Sequence, residues 1–200
     1  MLFRETADYP DRLLPLELPL LYFRGDISLL GSPSVSIVGA RKASPRGIKS
    51  AQMLASGLSQ LGYTIVSGLA AGIDAAAHSE AIRCKGKTIG VIGTPINAYY
   101  PRENRALQEK IASEHLLLSH VPFFRYSRQD YQKNRLFFPE RNRIMAALSD
   151  ATIIAEASNQ SGSLIQAREC FRLKKKLIIL KPMLDDKTLT WPKTYMAQGA

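Results

Sequence analysis

The sequence predicts an α/β fold: a doubly wound, mostly parallel sheet in a three-layer sandwich. Three observations predict it. Six short apolar runs, many of them β-branched, recur along the chain without the polar alternation of half-exposed strands. Stretches with helical periodicity lie between most of them. Most runs also end in small-residue turns, as strands do when they feed right-handed crossover helices.

In chain order, residues 1–34 read as an irregular lead-in, because prolines at 10, 15, 19 and 33 interrupt regular structure. Within it, Leu20, Leu21 and Tyr22 suit a short strand or brace. The strand candidates are VSIVGA (35–40), YTIVSG (63–68), KTIGVIG (87–93), EHLLLSH (114–120), ATIIAEA (151–157) and KKLIIL (175–180). After the first, Ser44 and Pro45 supply an N-cap and a first-turn proline. Ile48, Ala51, Leu54, Ala55, Leu58 and Leu61 then form one apolar stripe that Gly62 stops. Further helices are predicted over Asp74–Ile82, Arg102–Ala112, Arg141–Leu148 and Ser163–Leu173. One connection, His120 to Phe137, exceeds the usual length of a βα loop and is a candidate functional segment. The organisation expected is a lead-in (1–34), one core domain (35–182) and a C-terminal tail (183–200).

Charge narrows the partners. Among 200 residues, 27 Lys+Arg against 17 Asp+Glu give a net charge of +10 and a pI near 9.8, which favours a polyanion. Cys84 and Cys170 lack metal-ligand spacing and read as reduced thiols. The opening MLFRETADYP has no apolar core of a secretory signal, and no run approaches the roughly 20 residues of a membrane span. A cytoplasmic protein without a membrane partner is expected.

In open α/β sheets ligands bind beyond the carboxyl ends of the strands. Here those ends read Gly39-Ala-Arg41-Lys42-Ala-Ser44, Ser67-Gly68-Leu-Ala-Ala-Gly72, Gly93-Thr94-Pro95 and Ser161-Gly162-Ser163. Small residues at helix starts expose backbone N–H groups to phosphate; they equally serve tight turns and caps. No GxGxxG follows the first strand and no acidic residue ends the second, so a dinucleotide dehydrogenase is not expected. GxxxxGK[ST] is absent, which removes a P-loop ATPase. His78, His115 and His120 have no metal-site spacing. Glu156 is the best acid/base candidate, and Asp74 is an N-cap or a base. No catalytic residue, metal or cofactor is assigned.

The segment 123–143 interleaves Phe123, Phe124, Tyr126, Tyr131, Phe137 and Phe138 with Arg125, Arg128, Lys133, Arg135, Arg141 and Arg143. Rings for stacking and cations for a backbone compose a single-strand groove; the alternative is that Phe137 and Phe138 anchor the core below a solvated face. The motif FPERNR (138–143) sets Arg141 and Arg143 around Asn142 at a predicted helix start, where the helix dipole already attracts anions. At helical spacing the two arginines point roughly 200° apart, and Arg141 is the first expected to meet phosphate. Lys174, Lys175 and Lys176 read as a soluble turn or a basic patch.

GARKAS (39–44), SGLAAGIDAAAH (67–78), YPREN (100–104), FPERNRIMAALS (138–149) and EASNQSGSLIQAR (156–168) together resemble the DprA/Smf family of DNA-processing proteins. The likeness runs in order over residues 9 to 180. It implies a Rossmann-like domain that binds single-stranded DNA in a basic pocket, dimerises, and helps load RecA in natural transformation and recombination, without catalysis. By motif match it places Arg41, Ser67, Gly68, Arg141, Asn142, Arg143, Ser161, Gly162 and Ser163 in that pocket. Gly39, Lys42, Ser44 and Phe138 join them from the strand-end and FPERNR readings. Ala71 departs from the arginine common in the family's block, and Pro95-Ile96-Asn97 from its commoner Gly-Leu-Asp. The helical domain and winged helix that often flank the family's core are not expected within these residues. The competing reading is a nucleotide-binding protein or phosphoribohydrolase-like enzyme of the same superfamily, using Glu156 and Asp74, although the PGGxGT signature of such hydrolases is absent.

Overall fold

A computed structural model describes residues 1–200. The strands are β1 (Leu2–Phe3), β2 (Leu20–Gly25), β3 (Ser34–Gly39), β4 (Thr64–Ser67), β5 (Thr88–Ile92), β6 (Leu116–Ser119), β7 (Ala151–Glu156) and β8 (Lys176–Ile179). The longer helices are α1 (Pro45–Gln60), α2 (Ile73–Arg83) and α3 (Arg105–Glu114). Two short ones follow, α4 (Phe123–Arg128) and α5 (Tyr131–Asn134), and then α6 (Phe137–Leu148) and α7 (Ser163–Arg172). The chain closes with α8 (Lys181–Asp185) and α9 (Trp191–Met196).

All strands join one sheet in the order β1-β2-β6-β5-β4-β3-β7-β8. From β6 to β8 every neighbouring pair is parallel, while β2 runs antiparallel to β6 and β1 to β2. The predicted doubly wound sheet is therefore present, with an antiparallel edge contributed by the lead-in. Leu21 and Tyr22 belong to β2, paired with β6 through Tyr22 opposite Ser119.

The continuous apolar runs follow from burial on both faces. In β3, Val35 and Ile37 face α1, whereas Val38 joins the core under α6 and α7. Ser34 and Ser36 on that second side hydrogen-bond the end of α6, Ser34 Oγ to Leu148 O at 3.0 Å and Ser36 Oγ to Ser149 Oγ at 2.7 Å. The Ser34 hydroxyl thereby satisfies one of the last carbonyls of the helix where no glycine cap exists. Helix α1 is capped by Ser44, whose Oγ accepts from Gly47 N at 3.0 Å, and carries Pro45 at its first position, as read from sequence.

Two boundaries differ from expectation. Helix α6 begins at Phe137, so Arg141 lies a full turn inside it and Glu140 is the charged residue of the first turn. Pro139 sits early enough in α6 that its missing N–H breaks no helical bond. The long connection from His120 to Phe137 contains two short helices, α4 and α5. Residues beyond 182 dock on the second face: Trp191 is buried and donates from Nε1 to Ala157 O at 3.2 Å, and Tyr195 stacks on Phe171 at 5.6 Å.

One polar clasp ties the antiparallel edge to the helical layer. Arg24 on β2 donates from both terminal nitrogens to Glu109 on α3, each at 2.9 Å, and Tyr99 Oη donates to the same carboxylate at 2.7 Å. These bonds, Arg24 first, hold the Glu109 carboxyl at about 2, below the ordinary glutamate value of about 4.3. A depressed carboxyl adds stability above its unfolded pKa and loses it as pH falls toward the folded one. Both side chains are 39% exposed, so the pair contributes no more than about 1 kcal/mol. Glu109→Gln should therefore lower stability slightly at neutral pH, with the difference closing between about pH 4.5 and pH 2 in urea titrations.

Candidate nucleic-acid interface

Where a doubly wound sheet reverses direction, the loops after two adjacent strands leave on opposite faces and a crevice opens between them. That reversal falls between β3 and β7. The β3 loop departs to α1 on one face and the β7 loop to α7 on the other. A cavity of about 680 Å³ occupies the crevice, bordered by Arg41, Lys42, Tyr131, Arg135, Phe138 and the turn Ser161–Ser163.

Its electrostatics are set by which helix starts are already occupied. At the start of α1, Glu156 accepts from Ser44 N at 2.9 Å and from Ser44 Oγ. At the start of α2, Asp74 accepts from Gly68 N at 3.2 Å. Each of these dipole ends thus holds a carboxylate of the chain itself. At the start of α7 no carboxylate is engaged; the Ser161 and Ser163 hydroxyls bond one another at 2.7 Å, and Ser161 Oγ accepts from Ser163 N at 3.4 Å. Arg41, Lys42 and Arg135 border the cavity and take part in no ion pair. Arg41 lies over the Phe138 ring at 5.6 Å, and Tyr100 packs on the same ring at 5.4 Å.

Arg141 stands in the cavity wall yet is only 5% exposed. Its Nη1 donates to Gly68 O at the end of β4 and to Val91 O of β5 at 3.0 Å, and its Nε donates to Asn142 Oδ1 at 3.0 Å. Asp74 lies within Coulombic reach. Burial lowers the pKa of Arg141 and raises that of Asp74, while each charge favours the ionised form of the other. Asn142 passes the linkage on, donating from Nδ2 to Gly162 O at 3.1 Å. Gly68 is required at the centre, because a Cβ there would overlap the Arg141 guanidinium and press on Asp74.

The candidate residues therefore divide. Gly39, Arg41, Lys42, Phe138, Arg141, Asn142, Ser161, Gly162 and Ser163 all border the one cavity. Ser44, Ser67, Gly68 and Arg143 do not border it, although Gly68 lines a smaller adjoining cavity with Arg41, Tyr100, Phe138 and Arg141. Ser44 is held by Glu156 and the α1 cap. Ser67 is fully buried and donates to Ile37 O at 2.7 Å. Gly68 also serves the Arg141 linkage. Arg143 projects from the opposite side of α6 and pairs with Glu169 at 3.4 Å. Arg141 engages two backbone carbonyls through Nη1 and Asn142 Oδ1 through Nε, while its Nη2 makes none of these bonds. Tyr100, Tyr131, Arg135 and Gln160 were not assigned from sequence. Tyr131 and Arg135 stood in the aromatic-basic stretch and Tyr100 in YPREN, but only folding brings them to the crevice.

The model for DNA recombination-mediator protein A matches residues 1–200. The chain belongs to that family. Protein Smf of Synechocystis is 43% identical over 170 residues, 82% of this chain and 41% of its own length. The solved DNA processing protein A of Streptococcus pneumoniae superposes with a TM-score of 0.87 at 36% identity, over 99% of this chain and 68% of that one. DNA processing protein A of Helicobacter pylori, solved for its single-stranded DNA binding mode, gives a TM-score of 0.80 at 31% identity, covering 97% and 86%. The chain spans about half the length of the curated relatives it matches.

Removing Arg141 would leave the Gly68 and Val91 carbonyls and the Asp74 carboxylate without their buried partner. Arg141→Ala should lower unfolding free energy by about 3 kcal/mol or more, and Gly68→Ala should be similarly severe. Arg143→Ala, which removes a surface pair, should change it by less than about 1 kcal/mol. Urea denaturation of the three variants checks the contrast.

Proposed function

We propose that this chain binds single-stranded DNA, without catalysis, in the crevice between the ends of β3 and β7. The observation that carries the reading is the convergence on one cavity of Arg41, Lys42 and Arg135, none of them ion-paired, with the Phe138 and Tyr131 rings and the serine-glycine start of α7, which holds no carboxylate. Cations that follow a backbone and rings that accept bases form a sequence-tolerant single-strand site. The Helicobacter pylori relative, described by its single-stranded DNA binding mode, supports the same reading.

We assign phosphate to Ser161, Gly162 and Ser163 together with Arg41 and Lys42, and stacking to Phe138. Arg141 and Asn142 act as positioning residues, one holding the strand ends and the other the Gly162 carbonyl. Glu156 accepts from Ser44 N and Oγ, one bond on each oxygen, which supports a capping role at the start of α1. The family likeness further suggests a cytoplasmic role in DNA processing and recombination during natural transformation, acting as a homodimer with RecA as partner. No helix is long and apolar enough to cross a membrane. As domain organisation we propose a core of residues 35–182, with the lead-in 1–34 extending its sheet and residues 183–200 docked on its second face.

Fluorescence anisotropy with labelled oligo-dT tests the site. Binding should weaken steeply with salt, with a log–log slope of about −0.7 per phosphate contacted. Arg41→Ala should cost roughly tenfold in affinity, one charge-assisted contact, and Arg143→Ala should cost little. Equal affinity for duplex, with no effect of Arg41→Ala, would sink the reading. Release of free base from nucleoside monophosphates, abolished by Glu156→Gln, would instead establish the nucleotide-hydrolase alternative.

A further inference from the structure

The segment leading into α6 is a built element that the cavity alone does not use. Phe123 anchors α4 by an edge-on contact with Tyr22 of β2 at 5.1 Å, and Phe137 is buried against His120 at 5.6 Å. Between these anchors, Gln129 Nε2 donates to Asn134 Oδ1 at 2.8 Å and Asn134 Nδ2 to Tyr126 O at 3.0 Å, fastening α4 to α5. The arm so held turns apolar side chains outward: Phe124 is 66% exposed and Tyr131 68%.

Exposed rings on an ordered surface need an explanation. Each carries a cation on its face, Arg128 over Phe124 at 4.1 Å and Arg135 over Tyr131 at 6.0 Å. The carboxylates of the region are already engaged, Asp130 by Lys133 N at 2.8 Å and Glu140 by His120 Nε2 at 3.1 Å. The arm is therefore both aromatic and net positive. It adjoins the crevice through α5, since Tyr131 and Arg135 belong to the cavity wall, while Phe124 and Arg128 sit on α4, which is fastened to α5.

We infer that α4 and α5 form a second subsite, a stacking rail for the bases of a single strand leaving the crevice. The inference rests on the reading of the crevice as a single-strand site. Phe124 stacks on a base, and Arg128 moves from that ring to the adjacent phosphate or caps the stacked base. Tyr131 and Arg135 bridge rail and cavity. A polyanionic strand with exposed π-faces fits this combination, whereas an apolar protein partner would leave the arginines unpaired.

The test compares full-length wild type, Phe124→Ala, Arg128→Gln and Phe124→Trp on oligo-dT of about 4 and about 20 nucleotides, spanning single-strand site sizes of about 4–16. Phe124→Ala and Arg128→Gln should each weaken the long oligonucleotide on the order of tenfold and leave the short one unchanged. Phe124→Trp should keep wild-type affinity, with tryptophan emission quenched by the long oligonucleotide and not by the short one. Phe124 is exposed, so folding should survive, and thermal unfolding confirms it. Wild-type affinity of Phe124→Ala for the long oligonucleotide, or equal losses on both lengths, overturns the rail. Altered sedimentation of Phe124→Ala without a loss of binding would assign the arm to contact between copies and overturn it too. Failure of the wild type to bind either length removes the crevice reading itself.

Discussion

A guanidinium with almost no access to water lies beneath the crevice, and the geometry above it depends on that group. Arg141 gathers the Gly68 carbonyl of the β4 end, the Val91 carbonyl of β5 and the Asn142 amide into one linkage beside Asp74. Burying a cation is unfavourable unless every donor finds an acceptor. Two of the acceptors, Gly68 O and Val91 O, come from the central sheet, so satisfying Arg141 also ties α6 to the strands. Through Asn142 and Gly162 O the same constraint reaches the start of α7. The crevice wall thus takes part of its shape from a largely buried charge.

The carboxylates Asp74 and Glu156 extend this logic. Each occupies a helix start that would otherwise attract an external anion. Glu156 closes the start of α1, and Asp74 that of α2. What remains is the start of α7, facing Arg41 and Lys42 across the crevice. A helix start free of any carboxylate, facing surface cations without ion pairs, can hold phosphate without reading base identity, in keeping with the proposed single-strand site. The aromatic rings around it, Phe138 within the cavity and Phe124 on the arm, provide contacts that every base can use equally.

Much of the fold was legible because it follows from local pattern. Runs such as VSIVGA and ATIIAEA are apolar on both faces, and only a doubly covered parallel strand buries both. Ser44 and Pro45 marked the start of α1 because capping is a contact within one turn. The helix predicted from Arg141 starts four residues earlier, at Phe137, because Pro139 within FPERNR falls in the first turn, where it costs no hydrogen bond. The arm of α4 and α5 carried no periodicity long enough to see, since its order comes from Tyr22, Phe137 and a pair of amide contacts distant from one another in sequence.

The sequence by itself determined the class of the sheet, the small-residue strand ends, the basic excess and the motif blocks that mark the family, because each is written in neighbouring residues or in composition. Which of those residues face the crevice was decided only by tertiary structure. Arg141 and Arg143 share one motif, but a helix separates their directions: one is drawn inward by carbonyls from strands some fifty and seventy residues away, the other outward to Glu169. Ser44 and Ser161 look equally fit for phosphate in the chain, and differ because a carboxylate from β7 reaches the first and none is placed at the second. Satisfaction of buried charge is a property of the whole assembly, and no local pattern encodes it.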